Sequence, residues 1–177
     1  IAGTDDWNNA TLDAGGNDLK KKGTYTISGE SVRVTNRAQN TRFHFGADKT
    51  LVIAKGMTYC ASVLYKLNSG TDSLFLQFET KNSSGAKSYY GNAFKNAKQD
   101  IELDNGWKLR WAAFTATADG YADGLFVSTA NDNATVTNDL TIMHPMVQMG
   151  NAPTAWTASS GDYLTTTETK TEIKQTV

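Results

Sequence analysis

The stretch 74–79, Leu-Phe-Leu-Gln-Phe-Glu, indicates the class of fold. Positions 74, 76 and 78 are apolar and share one side of an extended chain, while the other side combines Phe75 with Gln77 and Glu79. Because successive side chains of a strand point to opposite faces, this pattern predicts a β-strand with one face toward a core. The stretch 41–45, Thr-Arg-Phe-His-Phe, alternates in the same way and predicts a second strand of this kind.

Short strands of similar length recur along the chain, separated by turns rich in Gly, Asn, Asp and Ser. Further strands are predicted at 31–35, 51–53, 59–66, 88–90, 100–103, 107–111, 124–128 and 139–143. Residues 104–106, Asp-Asn-Gly, predict a tight turn before the strand at 107–111. Helical periodicity is nearly absent before residue 165. The sequence therefore predicts an all-β fold, an antiparallel two-sheet jelly-roll-like β-sandwich. Both prolines lie near the end of the chain, so none is expected to interrupt an interior strand.

The chain has 177 residues, which suits a single domain with a sizeable core. We expect an N-terminal lead-in at 1–14, the β-sandwich at 15–163, and a linker or the start of a helical stalk at 164–177. In this last segment Ile173 and Val177 are four residues apart, as on one face of a helix. A frayed tail is the alternative for the same residues.

Composition excludes several classes of protein. Seventeen basic and eighteen acidic residues give a net charge of −1, without the basic excess of a nucleic-acid-binding protein. No apolar run is long enough to cross a bilayer, so membrane insertion is not expected. The single cysteine, Cys60, excludes an intrachain disulfide framework and is predicted to be a buried structural thiol.

Three segments of the chain resemble one family. The segment 143–157 reads Met-His-Pro-Met-Val-Gln-Met-Gly-Asn-Ala-Pro-Thr-Ala-Trp-Thr, 55–62 reads Lys-Gly-Met-Thr-Tyr-Cys-Ala-Ser, and 105–117 contains Asn-Gly-Trp-Lys-Leu-Arg followed by Phe-Thr-Ala-Thr. In this order they resemble the β-sandwich carbohydrate-binding modules found in phage tail and baseplate proteins and in some glycoside hydrolases. Gln148 stands where that family usually carries Glu, which leaves the role of the carboxylate open. Residues 169–177 resemble the start of the helical linkers that follow such modules.

The resemblance implies a function, a location and partners. It implies non-catalytic binding of a bacterial cell-surface or cell-wall polysaccharide, which attaches a phage tail to its host. The location would be the virion, at the extracellular tail tip or baseplate, with other phage tail proteins as partners. Two alternatives remain: a structural or interaction domain of a tail protein without sugar binding, and an accessory sugar-binding domain of a secreted glycoside hydrolase. The residues do not specify which saccharide is bound.

The candidate saccharide-binding residues lie on the predicted outward faces of two strands. Sugar rings stack on aromatic side chains, and their hydroxyl groups need planar polar partners on a rigid scaffold. The predicted patch consists of Arg42, His44, Phe75, Gln77 and Glu79, with Tyr89 or Tyr90 at its edge. The two tyrosines are consecutive and point to opposite faces, so at least one is expected to be exposed. The alternative is that all of these are ordinary solvent-facing strand residues.

The tryptophans are assigned to structure rather than to binding. Trp107, Leu109 and Trp111 are spaced two apart, so a regular strand puts them on one face, which we expect to be the core. A bulge before Phe114 would change this assignment. Trp156 is expected to fold back onto the sandwich and seal one end of it.

Evidence for catalysis is weak in the sequence. His44 and His144 are the only histidines and do not have the spacing of metal ligands. Glu79 and Glu102 are the best strand-borne carboxylates for a glycosidase pair, but no catalytic motif accompanies them. We therefore predict no catalytic residues and no enzymatic activity.

No cofactor is predicted, with one open question about calcium. Sandwiches of the family that this chain resembles often carry a structural Ca²⁺. Asp5, Asp6, Asp13 and Asp162 would supply oxygen ligands if the two ends of the chain meet. The alternative is that these aspartates only form turns.

Overall fold

The computed structural model of the chain describes residues 24–37, 42–46, 52–72, 74–90, 99–128 and 136–157. In these ranges it is all-β, and no helix there is long and apolar enough to span a membrane. The strands are β1 (Thr24–Ser28), β2 (Ser31–Arg37), β3 (Arg42–Gly46), β4 (Val52–Ile53), β5 (Thr58–Gly70), β6 (Phe75–Lys81), β7 (Lys87–Tyr90), β8 (Gln99–Glu102), β9 (Trp107–Thr115), β10 (Gly120–Ser128) and β11 (Val136–Met149). The predicted lead-in at 1–14 and linker at 164–177 lie outside the described residues, so these boundaries stay predictions.

The strands form two antiparallel sheets. The six-stranded sheet has the order β1-β2-β11-β5-β9-β8, and the five-stranded sheet has the order β3-β10-β6-β7, with β4 also paired to β10. Long strands that follow each other in sequence, such as β5 and β6 or β10 and β11, belong to different sheets. This crossing between sheets is the connectivity of a jelly roll. The predicted two-sheet antiparallel sandwich is confirmed.

The core lies between the sheets and is built by strand alternation. In β5 it takes Tyr59, Ala61, Val63 and Tyr65, and β6 faces them with Leu76 and Phe78, all at most 1% exposed. Aromatic rings bridge the two sheets, since Phe114 of β9 stacks on Tyr90 of β7 with ring centroids 4.6 Å apart. Burial of these apolar side chains supplies the main free energy that holds the sheets together.

Strand β9 begins at a tight turn that the sequence predicted. Asp104, Asn105 and Gly106 form a short 3-10 turn in which Asn105 has φ 59° and Gly106 has φ 80°. Asn and Gly tolerate this left-handed region better than other residues do. From Trp107 onward β9 pairs with β5 without a register shift as far as Thr115. The alternative of a bulge before Phe114 is therefore wrong for the pairing of β9 with β5.

Irregular pairing occurs instead in β10 and β11. In β11 the pairing with β5 jumps from Met143 to Met146, and the two residues in the gap are His144 and Pro145. The expectation that no proline enters an interior strand is wrong, because β11 lies between β2 and β5. Pro145 is accommodated because a bulge does not require its missing N–H.

Candidate functional site

Strand β9 carries different chemistry on its two sides. Alternate residues from Arg110 to Phe114 are at most 8% exposed and face the core. Trp107, Leu109 and Trp111 occupy the opposite, outward side and are partly exposed. The prediction that these three share a face is confirmed, but the prediction that this face is the core is wrong. The inward position is taken by Arg110, whose hydrogen-bond partners lie between the sheets.

A cleft of about 340 Å³ opens on the same outward side. Strands β5, β9 and β11 form its floor, and the segment after β11 forms one wall. The lining residues are Ser62, Leu64, Leu109, His144, Met146, Thr154, Ala155 and Trp156. The register sets Trp111 opposite Ser62 and Leu109 opposite Leu64, so the tryptophans of β9 lie beside this floor. We call the outward side of β5, β9 and β11, with Trp107, Leu109, Trp111 and the cleft, the tryptophan face.

The bulge in β11 builds the wall of the cleft. His144 adopts φ 57°, which is unusual for a residue with a side chain. Its imidazole stacks on the indole of Trp156, with ring centroids 4.4 Å apart and planes 15° from parallel. His144 Nε2 also lies 3.4 Å from Glu30 Oε2. The bulge thus turns His144 toward the segment that returns over the sheet.

Residues 150–157, which we call the strap, lie beside the outward side of the six-stranded sheet. Gly150, with φ 125°, starts the turn, and its N–H donates to the Thr58 carbonyl at 3.0 Å. Trp156 is partly buried, and its Nε1 is buried without a hydrogen-bond partner among the described residues. Trp156 does return onto the sandwich as predicted, but it packs on the outside of a sheet, against His144, and lines the cleft.

Gln148 holds the strap through both ends of its amide. Its Nε2 donates to the Ala152 carbonyl at 3.2 Å, and its Oε1 accepts from the Thr154 hydroxyl at 2.8 Å. An ionised Glu accepts but does not donate, so it would lose the bond to Ala152. Gln148 therefore has a structural role in this chain.

The lone thiol is inert in this structure. Cys60 is 1% exposed, as predicted, and its register partners are Ala113 and Gln148. Burial raises the pKa of the Cys60 thiol to about 11, so it stays protonated at neutral pH. The protonated thiol is a poor nucleophile.

A buried charge cluster occupies the inner side of β9. The Arg110 guanidinium is 2.6 Å from Asp72 Oδ2 and 2.9 Å from Asp100 Oδ2, and its Nη1 donates to the Leu74 carbonyl. The Tyr65 hydroxyl accepts from Arg110 Nη2 at 2.7 Å. These bonds join β5, β8 and β9 to the segment that leads into β6.

The protonation states in this cluster follow from burial and charge. Burial by itself would lower the pKa of Arg110, but the hydrogen bonds and charges of Asp72 and Asp100 outweigh it and raise the pKa. Burial is also the largest cause of the raised pKa of Tyr65, with the two carboxylates adding to it. Arg110 is therefore permanently charged and Tyr65 neutral, which makes this a structural network rather than an acid–base pair.

Five residues of the predicted patch occupy two strands of the five-stranded sheet, β3 and β6, which lie on either side of β10. Strand β10 separates β3 from β6, so Arg42 and Phe75 both pair with Ser128, and His44 and Gln77 both pair with Phe126. The structure describes only the backbone of Arg42, His44 and Phe75. Gln77 is partly exposed. Saccharide binding by this patch stays a prediction.

Glu79 differs from the expected exposed residue, because it is only 3% exposed. Its Oε1 lies 2.7 Å from Lys87 Nζ, and it shares a hydrogen bond with Asp123, which in turn pairs with Lys81 at 3.2 Å. Burial and the bond to Asp123 raise the pKa of Glu79, although Lys87 opposes the rise. The expectation that Glu79 presents a free acceptor on an open surface is wrong.

The two tyrosines predicted at the edge of the patch, Tyr89 and Tyr90, are consecutive residues of β7. Tyr89 pairs with Glu79, and only its backbone is described. Tyr90 pairs with Phe78 and stacks on Phe114 at the core. Its hydroxyl accepts from the N–H of Thr117 at 3.0 Å. Tyr90 therefore lies on the inner side of the sheet, away from an outward patch.

The carboxylates considered for catalysis do not form a pair. Glu79 belongs to β6 of the five-stranded sheet, whereas Glu102 belongs to β8 at the edge of the other sheet. The Glu102 side chain is 69% exposed and lies 3.1 Å from Lys108 Nζ. Glycoside hydrolysis needs two carboxyl groups on either side of one bond. Glu79 and Glu102 do not provide that arrangement.

The calcium question concerns residues outside the described ranges. Asp5, Asp6, Asp13 and Asp162 all lie there. Within the ranges that the structure describes, no group of three or more His, Cys, Asp or Glu side chains is placed to hold a metal ion.

No protein-family model and no curated protein sequence matches the chain. Solved structures with similar folds include the CBM22-1–GH10 modules of Clostridium thermocellum endo-1,4-β-D-xylanase 10B complexed with xylohexaose. That similarity has a TM-score of 0.49 and 17% identity, and covers 77% of this chain and 26% of the other.

Two further structures are similar to this chain. The CBM22-1 xylan-binding domain of Paenibacillus barcinonensis Xyn10C has a TM-score of 0.36 and 15% identity, covering 75% of this chain and 83% of the other. The enzymatically active domain of bacteriophage CBA120 tailspike protein 4 has a TM-score of 0.44 and 10% identity, covering 72% and 18%. Each of these three TM-scores is below 0.5.

Proposed function

We propose that this chain binds a saccharide on its tryptophan face without hydrolysing it. The observation that carries the proposal is the set of partly exposed Trp107, Leu109 and Trp111 beside a cleft walled by Trp156. Indole rings on a rigid sheet offer flat apolar surfaces at little entropic cost, and a sugar ring has an apolar side that stacks on them. Thr154 is exposed and lines the same cleft, and because its hydroxyl proton is donated to Gln148, its oxygen is left to accept from a sugar hydroxyl.

The spacing of the tryptophans favours a chain of sugars over a single ring. Trp107 and Trp111 are four residues apart on one strand, which separates them by about 13 Å. A single pyranose does not bridge that distance, whereas an oligosaccharide does. Binding of a sugar to each tryptophan is weak, so affinity would rise when several copies of the module are presented together.

The proposed biological location of this binding rests on the sequence resemblance. The proposal places the module in the extracellular virion, at a phage tail tip or baseplate, bound to host cell-surface polysaccharide and next to other tail proteins. An accessory module of a secreted glycoside hydrolase would use the same face. The sequence that flanks the module in its gene separates the two, since it would encode either tail segments or a hydrolase.

A structural or interaction domain without sugar binding is the second candidate. Met149 is 57% exposed at the end of β11, and Ile101 is 44% exposed at the outer edge of the same sheet. Exposed apolar side chains also mark protein contacts. In this case the tryptophan face would bind a neighbouring tail protein, and its substitution would change assembly rather than glycan binding.

The test is the double variant Trp107→Ala/Trp111→Ala, measured for folding and for binding to purified bacterial cell-wall polysaccharide and a glycan array. Each ring that loses contact with roughly 40 Å² of apolar sugar surface should weaken binding by about 1 kcal/mol, or about fivefold. Val52→Ala is the matched control, because Val52 is 68% exposed but belongs to the other sheet.

Gln77→Ala tests the patch predicted from sequence in the same assay. A folded Trp107→Ala/Trp111→Ala protein that binds like the wild type would refute the proposed site. If Gln77→Ala then weakens binding, the site lies on the five-stranded sheet. If no polysaccharide binds to the wild-type chain, the interaction domain is the better description.

A further inference from the structure

One row of side chains crosses the six-stranded sheet and ends at Trp107. The register aligns Arg33 of β2 with Thr141 of β11, Thr141 with Lys66 of β5, and Lys66 with Trp107 of β9. Neighbouring strands lie about 4.8 Å apart, so each side chain in this row adjoins the next. The row alternates with inward residues such as Tyr65, and so lies on the outward side with the tryptophan face.

The acidic residue next to this row is already neutralised. Asp139 receives two hydrogen bonds from Arg33, one of them from Nε at 2.9 Å. Asn68 Nδ2 donates to the same carboxylate and to the Thr141 hydroxyl, both at 3.0 Å. Arg33 and Asp139 therefore cancel as charges and fix the polar end of the row.

Lys66 is the cation of the row whose charge is not balanced in this way. None of the ion pairs among the described residues involves Lys66, whose side chain is partly exposed. Its Cε lies 3.6 Å from the position that a Cβ on Gly106 would occupy, so the side chain runs along the turn that precedes Trp107. The register and this contact together place Lys66 next to Trp107.

We propose that the saccharide bound on the tryptophan face is acidic, with a carboxylate or phosphate substituent bound by Lys66 next to Trp107. This inference rests on the proposed function and specifies the class of its ligand. A sugar ring stacked on Trp107 brings its substituents toward the neighbouring strand β5, where Lys66 is the residue paired with Trp107. A charge-assisted hydrogen bond to an anionic group is stronger than one to a neutral hydroxyl, so this position selects acidic sugars.

The experiment compares Lys66→Gln with Lys108→Gln in the full chain. Both substitutions remove one positive charge from the same pair of strands, but Lys108 is opposite Tyr65 and pairs with Glu102. Binding is measured on an array of acidic and neutral bacterial glycans and on purified cell-wall polysaccharide at two salt concentrations. We expect Lys66→Gln to bind acidic glycans about tenfold more weakly, and Lys108→Gln to stay within about twofold of wild type. Salt should weaken wild-type binding more than binding by Lys66→Gln.

Treatment of the polysaccharide distinguishes the two sources of negative charge. Reduction of carboxyl groups removes uronates, and dephosphorylation removes phosphate substituents, so the treatment that lowers wild-type binding to the level of Lys66→Gln identifies the group. Preference for neutral glycans, or equal binding by wild type and Lys66→Gln, would overturn the inference while leaving the proposed function intact. Failure of the proposed function gives a different result, in which Trp107→Ala/Trp111→Ala binds normally or no glycan binds.

Discussion

The two sides of strand β9 place an arginine inside the protein and two tryptophans outside it. The inward side holds Arg110, which is 1% exposed, whereas Trp107 and Trp111 on the outward side remain partly exposed. A charge is stable between the sheets only because every direction of its guanidinium finds an acceptor. Trp107 and Trp111 face outward and are partly exposed, so a ligand can reach them. The difference shows that hydrogen-bond partners, as well as hydrophobicity, decide which side of a strand is buried.

The largest expected effect tests the inward side. Arg110→Leu should destabilise the fold by about 3 kcal/mol, because it leaves two carboxylates without their cation. The value is at the lower end of the range for buried pairs because the Asp72 and Asp100 side chains are still 28% and 17% exposed. Urea denaturation measures the change in the free energy of unfolding.

Arg33→Leu is the matched control for Arg110→Leu. Arg33 also binds a carboxylate, that of Asp139, but its side chain is 61% exposed. Its replacement should therefore destabilise the fold much less. Equal losses from the two variants would show that burial does not distinguish the pairs, and the comparison of the two sides of β9 would fail.

The second prediction concerns the wall of the cleft. Trp156→Ala should destabilise the fold by about 2 kcal/mol, less than for a fully buried Trp, because the indole is only partly buried against His144. Thermal and urea unfolding measure this loss. Trp107→Ala is the comparison, and we expect it to change stability less and binding more. An unchanged melting temperature in Trp156→Ala would assign Trp156 to binding alone.

A smaller effect tests how the strap is held. Gln148→Glu should destabilise the fold by about 1 kcal/mol at neutral pH, because the carboxylate does not donate to the Ala152 carbonyl. Below the pKa of the new carboxyl group its protonated form donates again, so part of the stability should return on acidification. Gln99→Glu, on the exposed edge strand β8, is the control and should show no such recovery. A pH-independent loss would mean that the hydrogen bond to Ala152 is not what holds the strap.

The smallest effect extends the comparison to the buried acid of the five-stranded sheet. Burial and the hydrogen bond to Asp123 raise the pKa of Glu79 above its ordinary value. As pH rises from that ordinary value through the raised pKa, the unfolded chain releases this proton before the folded chain does. Stability contributed by this group is therefore present at low pH and falls over that window.

The pKa of Asp123 is shifted in the opposite direction. The hydrogen bond from Glu79 and the nearby Lys81 lower it, so its contribution is lost as pH falls through the lowered pKa. Glu79→Gln should remove the decline above the ordinary Glu pKa, whereas Glu102→Gln, at an exposed position, should not. Urea denaturation across pH measures both variants. Identical pH profiles for Glu79→Gln and wild type would show that Glu79 is not the titrating group.

Alternation in the sequence was enough to predict the sandwich and most of its strands, although β1 (Thr24–Ser28) was not predicted. The stretch 74–79 did so because its two sides differ clearly in polarity, and β6 has Leu76 and Phe78 in the core. The stretch 107–111 also alternates, and its residues do share a face. The pattern does not show which of the two faces is buried. One face has Lys and Arg and the other has Trp and Leu, so hydrophobicity alone predicts that the Trp face is buried, which is wrong.

The candidate site illustrates the same limit. The predicted patch selected polar residues opposite apolar ones, but Glu79 proved to be covered and Tyr90 to face the core. Trp156 was recognised as a residue that returns onto the sandwich. Ala112 and Phe114 could have indicated which face of β9 is outward. They alternate with Trp111 and lie on the same face as Arg110, and their small or apolar side chains indicate that this face is the buried one.

By itself the sequence determined the class of fold, the approximate positions of most strands, the tight turn at 104–106 and the burial of Cys60. These depend on local properties: alternation, turn residues and a thiol within an apolar stretch. Only the tertiary structure decided that Arg110 lies inside, that Trp107 and Trp111 lie outside, and that a bulge at His144 meets Trp156. Each of these depends on partners far away in the chain, such as Asp72 and Asp100 for Arg110. A strand's own residues define its two sides, but the groups that meet each side on folding determine which one is buried.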